Sequence, residues 1–134
     1  MNRPLVCHCE FTEAANVYAQ QKRFREASGE LLQLAQIAPN WEERSKALFQ
    51  AAPLQFAAGD SRGAHASLDT LAQGNAGNAR ALLSIGDMYW KVMGDTTRAL
   101  AMYRRAISLR PDRAVASALQ ERLGSLENPR VGQQ

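Results

Sequence analysis

The sequence repeats one short apolar pattern three times, and this repeat constrains the fold more than any other feature of the chain. Each copy has a small residue, a large residue four positions later and an apolar residue three positions after that. The copies are Ala27/Leu31/Leu34, Ala64/Leu68/Leu71 and Ala99/Tyr103/Ala106. Spacings of four and three place the members of each triplet on one face of an α-helix. The anchor alanines lie 37 and 35 residues apart, so the pattern predicts a protein built from similar helical units.

Proline and acidic residues mark where these helices begin and end. Pro39 and Pro111 follow the first and third triplets by five residues, and proline stops a helix because it lacks an N–H and clashes with the preceding turn. Asp60, Asp95 and Asp112 precede helical segments and are predicted to be N-caps. The predicted helices are 8–21, 24–37, 43–58, 61–74, 79–93, 96–109 and 113–127.

Three Gly-Asp pairs punctuate the sequence and could be mistaken for a phosphate or metal loop. Gly59-Asp60 and Gly94-Asp95 fall at predicted boundaries between helices, so we interpret both as turns followed by a cap. Gly86-Asp87 falls inside a helix, where Gly86 is predicted to allow close packing of two helices. None of the three pairs therefore requires a bound phosphate.

The chain resembles the tetratricopeptide repeat family over about residues 8–113. The third copy carries the resemblance best, with Leu82, Ile85, Gly86, Tyr89, Ala99, Tyr103, Ala106 and Pro111 in the family's order and one extra residue between Gly86 and Ala99. The first copy reads Phe11, Ala14, Ala15, Tyr18, Ala27, Leu31, Leu34, Pro39. The middle copy reads Leu48, Ala51, Ala52, Gln55, Ala64, Leu68, Leu71, Ala76, and so lacks the tyrosine and the final proline.

The resemblance implies an all-α fold, a right-handed superhelical array of antiparallel helix pairs of the α-solenoid type. Its repeats would span about 8–41, 45–78 and 79–113 within one domain, 8–127. The segment 113–127 has an apolar stripe and polar remaining faces, which suits a helix that caps the last repeat. Residues 1–7 and 128–134 are expected to be disordered.

In this family the first helix of each pair lines a concave groove that binds a partner peptide. Aligned on the repeats, the groove residues of this chain would be Asn16, Gln20, Lys46, Phe49, Phe56, Arg80, Leu83, Asp87, Trp90 and Lys91. Aromatic anchors with a polar rim are typical of peptide-binding surfaces. Pro53, inside the second set, predicts either a kink or a helix start nearby.

The resemblance therefore predicts a non-enzymatic interaction module, an adaptor, scaffold or chaperone-like protein, that needs no cofactor. The alternative is a structural subunit that assembles into a homo-oligomer or larger complex through the repeat ends. An RNA-binding helical repeat is a weaker third alternative, because the arginines alternate with apolar positions on helices that must also pack. Cys7-His8-Cys9 has metal-ligand chemistry but supplies three of the four ligands of a structural zinc site, so we predict reduced thiols there.

Composition limits the remaining classes. The formal net charge is +3, and two cysteines one residue apart cannot form a disulfide framework. No apolar run reaches the roughly 18 residues of a membrane span or resembles a secretion signal, so a cytoplasmic location without membrane attachment is the expectation.

Overall fold

The fold is all-helical wherever the structure describes the chain. The computed structural model describes the backbone of residues 3–127 and the side chains of residues 12–127, and it contains no β-strand in this range. The elements are α1 (Arg3–Gln20), α2 (Phe24–Ile37), α3 (Trp41–Ala57), α4 (Ser61–Gly74), α5 (Ala79–Asp87), a π-helix (Met88–Val92), α6 (Thr96–Ser108) and α7 (Arg113–Glu127). The helices expected from the sequence are all present, with most ends within two residues of their predicted positions.

The N-terminal end differs most from the sequence-based expectation. α1 begins at Arg3, five residues before the predicted start, so part of the segment expected to be disordered is helical. Met1, Asn2 and the predicted tail 128–134 lie outside the described residues. Within the described part of the chain, no helix is long and apolar enough to cross a bilayer.

Tertiary contacts group the chain into two compact units, Met1–Leu71 and Ala72–Gln134, where the sequence predicts one domain over 8–127. In the first unit α2 packs against both α1 and α3. In the second unit α6 packs against α5, the π-helix and α7, and α7 also contacts α5. Each unit therefore contains helices that are neighbours in sequence and connected by short turns.

The repeated triplets form the buried core, as their spacing predicts. The three anchor alanines are fully buried, and the large residue four positions later is 2% exposed or less in every copy. Leu34, Leu71 and Ala106 complete the buried face of the second helix in each pair. Burial of a Leu-sized side chain contributes about 1.5–3 kcal/mol, so these positions contribute strongly to the stability of each helix pair.

Five of the helices begin at a side-chain cap that lies among the described side chains. The side-chain oxygens of Asn40, Asp60, Asn78, Asp95 and Asp112 accept hydrogen bonds from backbone N–H groups three residues later, at 2.9–3.1 Å. The three aspartate caps confirm the prediction, and the two asparagine caps were not predicted. Each such cap contributes about 1 kcal/mol by satisfying an N–H that has no partner within the helix.

The turn before each second helix contains one residue with a positive φ in all three pairs. Lys22, Gly59 and Gly94 occupy equivalent positions and have φ of 61°, 89° and 68°. The two glycines confirm the predicted turns, because a residue in this left-handed region is least strained when it has no Cβ. The first pair places a lysine there instead.

The π-helix accommodates the extra residue of the third copy. In the first two pairs a backbone N–H bonds to the carbonyl five residues back, from Arg23 to Tyr18 at 2.8 Å and from Asp60 to Gln55 at 2.9 Å. In the third pair the equivalent bond, from Asp95 to Tyr89 at 2.7 Å, spans six residues. The additional residue lies in a wide π-helical turn, in which the N–H of Met93 donates a hydrogen bond to the carbonyl of Met88 at 3.1 Å. Tyr89 therefore keeps the buried position of its repeat.

Candidate partner-binding site

The predicted groove residues of the first unit lie on α1 and α3 and include both exposed and half-buried side chains. Asn16, Gln20 and Lys46 are exposed. Phe49 and Phe56 are half-buried. The polar members are therefore open to solvent, and the two aromatic rings combine core contact with partial exposure.

The residues of α3 form a stripe along one side of the helix. Lys46, Phe49, Pro53 and Phe56 follow at spacings of three, four and three, which places them in one row. Lys46 Nζ lies 3.7 Å and 3.9 Å from the carboxylates of Glu42 and Glu43, and its side chain is 63% exposed. Two aromatic rings with a cation at one end therefore run beside the buried face of α3.

Pro53 neither starts nor interrupts the helix, which continues from Trp41 to Ala57. The prediction of a helix start near Pro53 is therefore wrong. Because proline has no N–H, the carbonyl of Phe49 lacks the donor that the residue four positions later would supply. The Pro53 ring lies beside this carbonyl in place of the missing donor.

The predicted groove residues of the second unit lie on α5 and the π-helix. Leu83 and Trp90 are half-buried, and Arg80 and Lys91 are exposed. Lys91 Nζ lies 5.7 Å from the centre of the Trp90 ring, within range of a cation–π contact. Arg80 lies 3.9 Å from Asp112 at the start of α7, and both side chains are more than 60% exposed. A half-exposed tryptophan with a lysine beside it is the main feature of this surface.

Asp87 occupies a different environment from the rest of the predicted set. Its Oδ1 accepts hydrogen bonds from the Tyr103 hydroxyl and from Nε of Arg122, both at 2.6 Å. The Asp87 and Arg122 side chains are 25% and 24% exposed. The carboxylate therefore joins α5 to α6 and α7, and its observed contacts are internal to the unit.

Gly86 explains how this polar contact forms. A Cβ at this position would lie 2.5 Å from Cε1 and 2.8 Å from Cδ1 of Tyr103, too close for any real side chain. The absence of a side chain lets the Tyr103 ring lie against α5, and its hydroxyl then reaches Asp87, the next residue. The predicted close packing at Gly86 is confirmed.

Electrostatics strengthen the same three-residue contact. Burial raises the pKa of Tyr103, and its hydrogen bond to Asp87 raises it further. The hydrogen bond to Asp87 also raises the pKa of Arg122. Tyr103 and Arg122 thus stay protonated at neutral pH, and both donate to the carboxylate.

Sequence reasoning missed Arg122 and the π-helix. Arg122 lies 35 residues from its partner, and nothing in a single sequence pairs an arginine with one of several aspartates. The π-helix had a signal, since the extra residue between Gly86 and Ala99 had to be accommodated in the first helix or in the turn.

The described side chains contain no cluster of three or more histidine, cysteine, aspartate or glutamate residues that could hold a metal ion. The side chains of Cys7, His8 and Cys9 lie outside the described residues, so the expectation of reduced thiols stays a prediction.

No protein-family model matches the chain, and a comparison with curated proteins gives no match.

Proposed function

We propose that this protein is a tetratricopeptide-like, non-enzymatic interaction module that binds a peptide segment of a partner protein. The proposed binding residues lie on α1 and α3 in the first unit and on α5 with its π-helix in the second, and each unit is considered by itself. We name this set the first-helix surface and define it by the ten groove residues predicted from the sequence.

One observation carries the proposal: the first helices keep large aromatic side chains at their surface. Phe49, Phe56 and Trp90 are all half-buried, whereas other large residues of the same helices, such as Leu48 and Tyr89, are buried. A ring held by the core on one side and open on the other can bury further apolar area against a partner without rearrangement. Aromatic residues of this kind dominate the binding energy of protein interfaces.

Polar groups beside the rings support a peptide as the ligand. Lys46 and Lys91 are exposed and lie next to aromatic residues, so they can contact carboxylates or carbonyls of a bound segment. A peptide offers all of these groups, and a polar rim around apolar anchors provides orientation and specificity.

Rigidity supports the same function. Side-chain caps fix the beginnings of α3 and α5, and the contact of Asp87 with Tyr103 and Arg122 ties α5 to its neighbours. A surface that is already ordered spends little free energy on ordering when the partner binds.

The test is selection of peptides from a displayed random library on the full chain, followed by calorimetry. Trp90→Ala and Phe56→Ala should each weaken the selected peptides by roughly 10-fold to 100-fold, the usual loss at an aromatic anchor. Ile37→Ala is the matched control, since Ile37 is 49% exposed but ends a second helix, and it should leave the affinity unchanged. Full affinity in both aromatic variants would refute the proposal.

Light scattering on the eluted chain tests the alternative of self-assembly. The proposal predicts a monomer of 14.7 kDa whose first-helix surface is free to bind. A stable oligomer that Trp90→Ala or Phe56→Ala dissociates would instead assign this surface to contact between copies of the chain.

A further inference from the structure

The positive charge of the protein resides entirely in its second unit. Residues 72–134 contain nine lysines and arginines against five aspartates and glutamates, whereas residues 1–71 contain seven against eight. The second unit thus has a formal charge of +4 and the first a charge of −1. An imbalance of this kind raises the local concentration of anionic partners around one part of a molecule.

Three exposed arginines near one turn have no acidic partner among the described residues. Four of the five acidic side chains of the unit form ion pairs with other arginines: Asp95 with Arg98, Glu127 with Arg104, Asp87 with Arg122 and Asp112 with Arg80. The fifth, Glu121, is in none of these pairs. Among the described arginines of this unit, those without an ion pair are Arg105, Arg110 and Arg113, at the end of α6 and the start of α7. Their guanidinium groups are therefore available to an external anion.

An apolar side chain and a cleft accompany these arginines. Leu109 lies one helical turn after Arg105, is 40% exposed, and lines an open cleft of about 500 Å³. Pro111 and the buried Val115 line the same cleft, which also reaches the beginning of α5. Asn78, Arg80 and Asp112 also line the cleft, so its apolar part is the patch formed by Leu109, Pro111 and Val115. In sequence, this patch is flanked by Arg105, Arg110 and Arg113.

Arg110 holds a backbone conformation that favours glycine. Its φ is 54°, in the left-handed region, just after the end of α6. A residue with a Cβ is strained there, and glycine is the usual occupant of this position after a helix. The chain retains a long cationic side chain despite this strain, which motivates a functional hypothesis for the position.

We propose that Arg105, Leu109, Arg110 and Arg113, which we name the Arg110 surface, dock an acidic segment of a partner protein that carries an apolar side chain. Carboxylates of the segment pair with the guanidinium groups, which can donate two parallel hydrogen bonds to one carboxylate. The apolar side chain enters the cleft beside Leu109. None of its four residues belongs to the first-helix surface, although Arg80, which does, lines the same cleft. The Arg110 surface adds a second point of recognition.

Acidic peptide fits these residues better than nucleic acid does. Recognition of single strands relies on bases stacked on exposed aromatic rings. No aromatic residue lines the cleft, and Tyr89 and Tyr103 of this unit are buried. The partly exposed ring of the unit, Trp90, belongs to the first-helix surface and does not line the cleft.

The test is a titration of the full chain with short synthetic probes, followed by NMR of the backbone amides. A peptide of glutamates around a central leucine should bind, should shift the amides of residues 105–115, and should bind more weakly as salt is added. The matched peptide with glutamines in place of the glutamates should not bind. Equal binding of the two peptides would refute the role of the arginines, and tighter binding of an oligouridine that displaces the peptide would assign the surface to nucleic acid instead.

Variants separate charge from folding. Arg110→Gly relieves the backbone strain and should not unfold the chain, and it should weaken the acidic peptide about threefold to fivefold. Arg98→Gln is the matched control, because Arg98 lies on α6 but pairs with Asp95, and it should leave the affinity unchanged. Trp90→Ala should also leave the affinity for the acidic peptide unchanged. A failure of the Arg110 proposal can therefore be distinguished from a failure of the proposal for the first-helix surface. If the double variant Arg110→Gly/Arg113→Gln binds the acidic peptide as tightly as the unsubstituted chain does, the proposal is overturned.

Discussion

Substitution of Gly86 by alanine should destabilise the protein, opposite to the usual effect of this change in a helix. Alanine is ordinarily better than glycine inside a helix by about 1 kcal/mol. Here the new Cβ would lie 2.5 Å from Cε1 of Tyr103, whose side chain is fully buried and has little room to move. The steric conflict should therefore outweigh the gain in helix propensity.

The expected magnitude follows from what the Tyr103 ring must give up. Forcing extra volume into a packed site costs about 1–3 kcal/mol. Movement of the ring also weakens the hydrogen bond from Tyr103 to Asp87, worth about 1–1.5 kcal/mol. After the gain in helix propensity, the free energy of unfolding should fall by about 2 kcal/mol.

Gly124→Ala is the matched control for this experiment. Gly124 lies inside α7, in the same unit, and a Cβ there would meet nothing within 4 Å. This variant should gain roughly 0.5–1 kcal/mol, since only helix propensity changes. Urea unfolding monitored by circular dichroism measures both effects. If Gly86→Ala is as stabilising as Gly124→Ala, the close packing of α5 against α6 is refuted.

Three further changes test the turns and the polar contact. Arg122→Ala should lower the free energy of unfolding by about 1–3 kcal/mol, because it removes a partly buried partner of Asp87. Amide hydrogen exchange in α7 should become faster in this variant. An unchanged exchange rate would contradict the role of the Asp87–Arg122 pair. Lys22→Gly should raise the free energy of unfolding by up to about 1 kcal/mol, because glycine is not strained at a φ of 61°, whereas Gly94→Ala should lower it by a similar amount. Urea midpoints that move in the opposite directions would rule out backbone strain at these two turns. The pKa of Tyr103 is raised above its ordinary value of 10.0, so the contribution of this side chain to stability is complete below about pH 10 and is lost as the pH rises above that value. Tyrosinate absorbance should show Tyr103 ionising only when the protein unfolds. Ionisation of Tyr103 in the folded protein would disprove its burial.

Most of the helical framework could be predicted because it depends on local chemistry. The triplets fix the buried face of each second helix, and a glycine followed by an aspartate fixes the turn before it, as at Gly59 and Gly94. The asparagine caps Asn40 and Asn78 carried the same kind of local signal and could have been predicted from it. The π-helix could be foreseen only as an extra residue, because helix propensity does not say which turn will widen.

The candidate site was less predictable because it depends on contacts between distant residues. Repeat alignment identified Phe56 and Trp90 on first helices, and their partial exposure agrees with a binding role that stays a prediction. It also placed Asp87 in the same set, although the carboxylate is held by Tyr103 and Arg122. Alignment assigns a residue to a helix face, whereas the partner of a charged group depends on which helix packs there.

Fluorescence of Trp90 offers the most direct measurement of the central claim, that the first-helix surface binds a peptide. The chain has two tryptophans, so a Trp41→Phe background leaves Trp90 as the single reporter. A peptide selected on the wild-type chain should shift the Trp90 emission to shorter wavelength as the ring is buried. The shift should saturate at the same dissociation constant that calorimetry gives. Calorimetric binding to this variant with no change in the Trp90 emission would contradict the account.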